Sequence, residues 1–152
     1  MKKLAPADYQ SLAELRHQVR RFLHFSEKAA REAGLEPRQH QLMLSLKGLP
    51  QEVRPRIAEL AERLQIQHHS AVELVNRLST GGYVERGRGT DRREVLLALT
   101  SRGERVLERL SLSHREELRS QGPALVKILN RIIDGGGGPA KAKGKKGKGS
   151  AV

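Results

Sequence analysis

Between Arg86 and Arg93 the chain places four arginines, Arg86, Arg88, Arg92 and Arg93, around a loop whose one acid is Asp91. Tyr83 and Val84 before the loop, and Val95, Leu97 and Leu99 after it, alternate as strands do. An arginine at the tip of such a hairpin can enter a narrow A·T-rich minor groove, where the potential is most negative. Asp91 can hold the neighbouring arginine in position. The plainer reading is a solvated hairpin with scattered charge.

A second group of polar residues lies just upstream. His68, His69 and Ser70 open a helical pattern, with Gln67 or His68 at its N-terminus, where free N–H groups and the positive dipole end suit a phosphate. Their side chains are short enough to meet base edges. Glu73 can accept from a cytosine N4, or tether Arg77 one helical turn on. His17 and His24 fall seven apart on the first helix, and His40 early in the second. They can line a pocket and hydrogen-bond a carboxylate, or simply be surface or interface histidines. With His114 they are too scattered in sequence, with no acid beside a pair, to suggest a metal site. No cysteine nucleophile, Gly-rich phosphate loop or paired carboxylates point to catalysis or a cofactor. Glu116-Glu117 reads as a solvated helix face.

The elements that would position these residues are legible in the pattern. Pro6 to Ala33 reads as one long helix with Leu12, Leu15, Val19, Phe22 and Leu23 at helical spacing, ended by Gly34. Pro37 suits the first position of a second helix, whose buried face is Leu42, Met43, Leu46 and Leu49. Gln51 to Arg56 forms a loop and a candidate short edge strand. Ile57 to Leu64 is a short amphipathic helix facing inward through Leu60, Ala61 and Leu64. After a break at Gln65-Ile66-Gln67, His68 to Thr80 forms another, with Val72, Val75 and Leu78 inward. Strands over Tyr83 to Arg86 and Glu94 to Leu99 follow. Helix, tight turn, helix and basic hairpin form a winged helix-turn-helix over about residues 37–100. Thr100 caps a further long helix with Val106, Leu107, Leu110, Leu112 and Leu118, with Glu104 in its first turn. Gly122-Pro123 should break it before a last helix carrying Leu125, Val126, Ile128, Leu129, Ile132 and Ile133.

The fold class expected is therefore mainly α with a small β-hairpin: a winged helix-turn-helix plus a helical dimerisation layer. The body spans residues 1–133, with dimerisation helices at about 7–33 and 101–133. The apolar stripes of those helices exceed what one small domain can cover, so a second copy of the chain is the expected partner. Residues 134–152 form a Gly/Lys-rich tail that should be disordered, because it cannot bury enough surface to offset its ordering entropy. It is either a solubilising end or a basic arm adding non-specific DNA affinity.

Composition narrows the partners. The 152 residues carry a net charge of +12, which favours a polyanion, and only 3% aromatics, which disfavours a stacking surface for single strands. The absence of cysteine fits the cytoplasm. No apolar stretch suggests a membrane partner, and no apolar run follows Met1-Lys2-Lys3-Leu4 as a signal peptide needs.

From Tyr9 to Ile133 the sequence resembles the MarR family of bacterial transcription regulators. The resemblance is strongest from Ile57 through Leu78 and over Gly82-Tyr83-Val84-Glu85-Arg86. It includes the family's wing signature, Asp91-Arg92-Arg93 followed by Leu99-Thr100-Ser101-Arg102-Gly103. It implies an obligate homodimer on double-stranded DNA carrying a pseudo-palindromic operator. It also implies a minor-groove role for Arg93 supported by Asp91, and repression relieved by a small anionic or phenolic effector held between the dimerisation helices and the DNA-binding part. Peroxide sensing through cysteine and zinc sensing through a ligand cluster have no counterpart here. The alternative is an architectural, largely non-specific DNA-binding protein, which the lysine-rich tail favours; preference for one promoter over random DNA separates the two.

Overall fold

The computed structural model describes residues 2–135 apart from Arg92. The expected role of Arg92 and the expected disordered tail beyond residue 135 lie outside the described residues. The order is α1 (Pro6–Glu32), α2 (Pro37–Lys47), α3 (Ile57–Leu64), α4 (His68–Thr80), β1 (Val84–Arg88), β2 (Val95–Leu99) and α5 (Ser101–Ile133).

Local chemistry sets the helix limits. Pro6 occupies the first turn of α1, and the Ala5 N–H donates to Asp8 Oδ2 at 2.7 Å. Gly34, at φ +83°, turns the chain so that the Leu35 N–H reaches the Ala30 carbonyl at 2.9 Å. Both residues are thereby buried. At α2 the Glu36 N–H donates to Gln39 Oε1 at 2.8 Å, with Pro37 in the first turn. Gln65 takes a left-handed conformation, φ 55°, between α3 and α4. The Ile66 N–H then closes on the Ala61 carbonyl at 3.0 Å, and Ile66 packs against the core.

That core draws Leu42 and Met43 from α2, Leu60 from α3, Val75 and Leu78 from α4 and Val84 from β1. Leu107 and Leu110 of α5 and Ala30 of α1 close it. Replacing any of these leucines by alanine would cost about 2–5 kcal/mol. The α4 face differs from the expected one. Ala71, Leu74, Val75 and Leu78 are buried, while Val72 is only half-buried. The spacing i, i+3, i+4, i+7 gives the wider stripe a packed helix needs.

Two further expectations fail. Gly122-Pro123 does not break the last helix: α5 runs unbroken for 33 residues with Pro123 inside it. Proline removes one N–H and crowds the carbonyl four residues back, here that of Arg119. Both residues are exposed, so that carbonyl can turn to water. Nor does the chain before Ile57 form an edge strand. The described sheet has two strands, and the loop offers it a single bond, Leu97 N–H to the Pro55 carbonyl at 2.9 Å. Pro55 has no N–H with which to continue a ladder. The strands are antiparallel with Val84 opposite Leu99 and Arg88 opposite Val95, so the first begins later and runs longer than expected.

α5 begins where the hairpin ends. Thr100 Oγ1 accepts from the Gly103 N–H at 3.1 Å and donates to the Gly82 carbonyl at 2.6 Å. The Thr100 N–H donates to the Tyr83 carbonyl at 3.0 Å. Gly103 lies so close to this backbone that a Cβ would fall on the Tyr83 carbonyl oxygen, with the carbonyl carbon 3.1 Å away. Gly103→Ala is therefore expected to destabilise by about 2 kcal/mol or more despite alanine's better helix propensity. Gly122→Ala, where a Cβ meets nothing within 4 Å, should be neutral or add up to ~1 kcal/mol. Urea unfolding of the two variants checks this; equal stability would show that the contact at Gly103 yields freely.

Candidate nucleic-acid interface

The polar start of α4 stands open. Gln67 is the N-cap residue, and its side chain makes no capping bond. Its carbonyl accepts from the Ala71 N–H at 3.1 Å, as the first turn requires. Gln67, His68 and His69 are exposed and Ser70 is half-buried. No acid sits in the first turn, so nothing there offsets the positive end of the helix. Glu73 lies one turn on and pairs with Arg77 at 2.8 Å across an exposed face. Of the two readings of Glu73, the geometry realises the tether. Such exposed pairs contribute little to stability, but this one orients Arg77.

The hairpin tip holds Arg88, Asp91 and Arg93 exposed. Among the described residues, neither Arg88 nor Arg93 makes an ion pair with its side chain. Asp91 acts on Arg93 through the backbone. Its Oδ1 accepts from the Arg93 backbone N–H at 3.1 Å, and its carbonyl from the Glu94 N–H at 3.0 Å. This is an Asx-type turn that shapes the backbone beneath the arginine instead of gripping the guanidinium.

Arg86 is spoken for. Its Nη2 donates to Asn76 Oδ1, a short contact that ties β1 to the outer face of α4. The helix and the hairpin thus form one surface, with Arg86 at the seam. Behind the seam, Arg102 Cζ stacks 4.5 Å from the centre of the Tyr83 ring. The same guanidinium donates to the Gly81 carbonyl at 2.9 Å and Tyr83 Oη at 3.1 Å. Lys47 and Glu104, 2.8 Å apart, join the end of α2 to the start of α5. Glu104 therefore serves as a partner as well as a favourable charge in the first turn.

The three histidines weighed as candidate pocket residues part company. His40 is only 3% exposed, while His17 and His24 are exposed on α1. Those two border a shallow open groove with Arg20, Arg21, Phe25, Lys28 and Glu117. His40 instead faces His114 of α5, ring centres 4.9 Å apart. Phe22 and Phe25 meet His114 edge-on at 6.0 and 5.3 Å. His114 Nδ1 lies 2.6 Å from the Leu110 carbonyl and Nε2 2.8 Å from Ser26 Oγ. Among the described residues, His40 Nδ1 is buried without a partner. Burial, and then repulsion from His114, push the His40 pKa down to about 4. Its sequence position shows none of this, because the packing partner lies on another helix.

Sequence reading also passed over Arg38. It stands in the first turn of α2, where the helix dipole disfavours a cation. That unfavourable placement was the available signal. Arg38 borders an open hollow with Gln65, Gln67, His68 and Ser70. It also lines a second groove behind α4 with Arg31, Arg77, Glu27, Glu36 and Glu73. Among the described residues no three or more His, Cys, Asp or Glu side chains could hold a metal ion. No described helix is long and apolar enough to cross a membrane.

Residues 33–94, from the end of the first helix through the hairpin tip, match a family model described as the MarR family. The fold is similar to that of AbsC, a MarR family transcriptional regulator from Streptomyces coelicolor. Identity is 18%, over 89% of this chain and 93% of that one, with a TM-score of 0.68. It is similar also to the transcriptional regulator Tm0710 from Thermotoga maritima, at 25% identity over 80% and 88%, TM-score 0.58. A third similar structure is CouR from Rhodococcus jostii RHA1 bound to p-coumaroyl-CoA, at 21% identity over 80% and 85%, TM-score 0.63. No curated protein matches the chain.

The buried His40 has a consequence for acid stability. Its folded pKa lies below the unfolded value, so the unfolded chain takes up a proton that the folded chain refuses. Stability should fall as pH drops from about 6.5 to about 4, and this contribution should level off below. In His40→Phe the slope across that window should be shallower by up to ~1.4 kcal/mol per pH unit. Urea unfolding at pH 7, 5.5 and 4.5 measures it; identical slopes in the two proteins would show that His40 does not titrate in this range.

Proposed function

We propose that the chain belongs to the MarR family through its winged segment, residues 33–94, and is a sequence-specific double-stranded DNA-binding transcriptional regulator. The observation that carries the proposal is the seam between Arg86 and Asn76. It joins an open, acid-free helix start to an exposed basic hairpin as one surface. On this reading the N-terminus of α4 enters the major groove. His68, His69 and Ser70 lie at base edges, and Gln67 and the free N–H groups at phosphate. Arg88 and Arg93 take the adjacent minor groove, with Asp91 shaping the turn beneath them. Arg77 and Glu73 border this surface, and Arg86 holds its two parts together.

The chain acts as a homodimer. Leu12, Val19 and Leu23 of α1 are 39–45% exposed in the single chain. Leu112, Leu118, Val126, Leu129 and Ile133 of α5 are 38–76% exposed. A continuous apolar face on two long helices is what a second copy would cover. Two copies would bring two winged portions to a pseudo-palindromic site, with half-sites ~34–36 Å apart or a multiple of that. Regulation is repression relieved by a small anionic or phenolic effector. The groove with Arg31, Arg38 and Arg77, which Glu27, Glu36 and Glu73 also line, is open to such a ligand where His40 is enclosed. A ligand there would press on α4 directly, and CouR binds p-coumaroyl-CoA within the same fold.

Two outcomes are expected. Sedimentation at micromolar concentration should give about twice the 16.9 kDa chain mass; a monomer binding duplex DNA at full strength would refute the dimer. Selection from a random duplex library should yield a pseudo-palindrome. On that site, His69→Ala should flatten preference at one or two positions per half-site, by ~1–3 kcal/mol. Arg93→Ala should instead weaken binding most where the flank is A·T-rich. Affinity within twofold of wild type on every duplex for Arg93→Ala would remove the hairpin from the interface.

A further inference from the structure

One carboxylate fastens the hairpin tip to the body. Glu94 immediately precedes β2, and its side chain is only 10% exposed. Its Oε2 pairs with Arg54 Nη1. Its Oε1 lies 2.8 Å from Arg56 Nε, as an ion pair without the alignment of a hydrogen bond. Arg54 Nη2 also stands 3.5 Å from Thr90 Oγ1 in the tip. The carboxylate fits because residue 89 is glycine: a Cβ there would meet it. The backbone follows the same path. The Gly89 N–H donates to the Glu94 carbonyl at 3.1 Å, and the Leu97 N–H to the Pro55 carbonyl at 2.9 Å. The hydrogen bond from Arg54 and the charges of both arginines hold the Glu94 carboxyl below the usual carboxylate range, against its partial desolvation. It is therefore ionised at neutral pH.

We propose that Glu94 is a specificity-determining positioning residue of the DNA interface, pinning the hairpin tip to the α2–α3 connection and keeping Arg54 and Arg56 from indiscriminate phosphate contact. The inference rests on the DNA-binding reading above and adds residues outside it. Two effects of opposite sign follow from the geometry. A two-stranded hairpin is marginal by itself, so the latch presents Arg88 and Arg93 in one pose. Preorganised arginines discriminate between groove shapes better than mobile ones. The second effect concerns charge. The Arg54 and Arg56 side chains are 47% and 52% exposed beside the tip. Freed of Glu94, they become two cations open to any phosphate, and such contacts supply non-specific affinity. Loss of the carboxylate thus strengthens binding to unrelated DNA while weakening the distinction between sites. A residue needed only for stability would weaken both.

The test compares wild type, Glu94→Gln, Arg54→Gln/Arg56→Gln and the triple variant. Each is titrated with a duplex enriched from a random library and a scrambled duplex of the same composition, over a salt series. In Glu94→Gln, affinity for the scrambled duplex should rise. Its slope of log affinity against log salt should steepen by up to ~1.8, or ~0.9 for each new phosphate contact. The enriched-to-scrambled ratio should fall about tenfold. The triple variant should return the scrambled affinity to wild type or below, with the ratio still low. Trypsin should cut after Arg88 or Arg93 faster in Glu94→Gln than in wild type. A wild-type ratio and salt slope in Glu94→Gln would overturn the proposal. Should that variant not fold, Arg54→Gln/Arg56→Gln decides: an undiminished ratio overturns it, a reduced one supports it. Should wild type bind both duplexes equally, the DNA reading itself fails and takes the specificity role with it. Tryptic cutting then judges the latch alone, and unchanged rates would remove that too.

Discussion

The close approach of Gly103 to the Tyr83 carbonyl is the contact on which the arrangement depends. It lets the first turn of α5 lie against the backbone that leads into β1. Thr100 can then do two things with one hydroxyl, capping α5 and bonding to Gly82. Arg102 closes the corner from the other side, through Tyr83 and the Gly81 carbonyl. Hairpin and long helix are thereby one rigid corner. A side chain at position 103 would separate them, and with them the wing from the helical layer. The sequence Leu99-Thr100-Ser101-Arg102-Gly103 is a description of that corner in residue types.

Around the corner, the arginines divide by what they hold. Arg54, Arg56, Arg86 and Arg102 are engaged within the chain, with Glu94, Asn76 and the Tyr83 region. Arg88 and Arg93 project without an ion pair among the described residues. Net charge alone does not separate these groups. A surface reads shape only if some of its cations are fixed and others left for the ligand. The engaged arginines set the frame within which the two exposed ones act. The same division holds for acids: Asp91 bends a backbone and Glu94 anchors a loop, so neither simply subtracts charge from the tip.

Much of this was legible in the sequence. Helix limits marked by Pro6, Gly34 and Pro37, the turn at Gln65-Ile66, and the Thr100 cap all rest on short-range chemistry, which the residue order carries. Pro123 reads as a break because the local rule is strong, but packing of α5 against α1 at an otherwise exposed stretch overrides it. The loop before Ile57 offers a candidate edge strand, and Pro55, which stands in the sequence itself, is what leaves the ladder incomplete. His17 and His24 share a face of α1 through helical periodicity, but nothing in the residue order relates His40 to them. His40 is turned inward toward His114, a partner 74 positions away. Glu94 and Arg54, 40 positions apart, could not be paired from sequence for the same reason. Local order predicts elements well; contacts between elements decide the site.

The small gap beneath the Glu94 carboxylate bears on how this surface can change over generations. Positions 89 and 94 occupy one volume: a side chain at 89 and a carboxylate reaching Arg54 cannot both be accommodated without displacement. Substitution at either position alone therefore displaces the carboxylate from Arg54 or removes it. Descendants of this chain should keep glycine and glutamate together or exchange both. Arg54 and Arg56 are freer to vary once the acid is gone. Across diverged copies, a rearranged tip would then appear as correlated replacement at four separated positions, without change in α4.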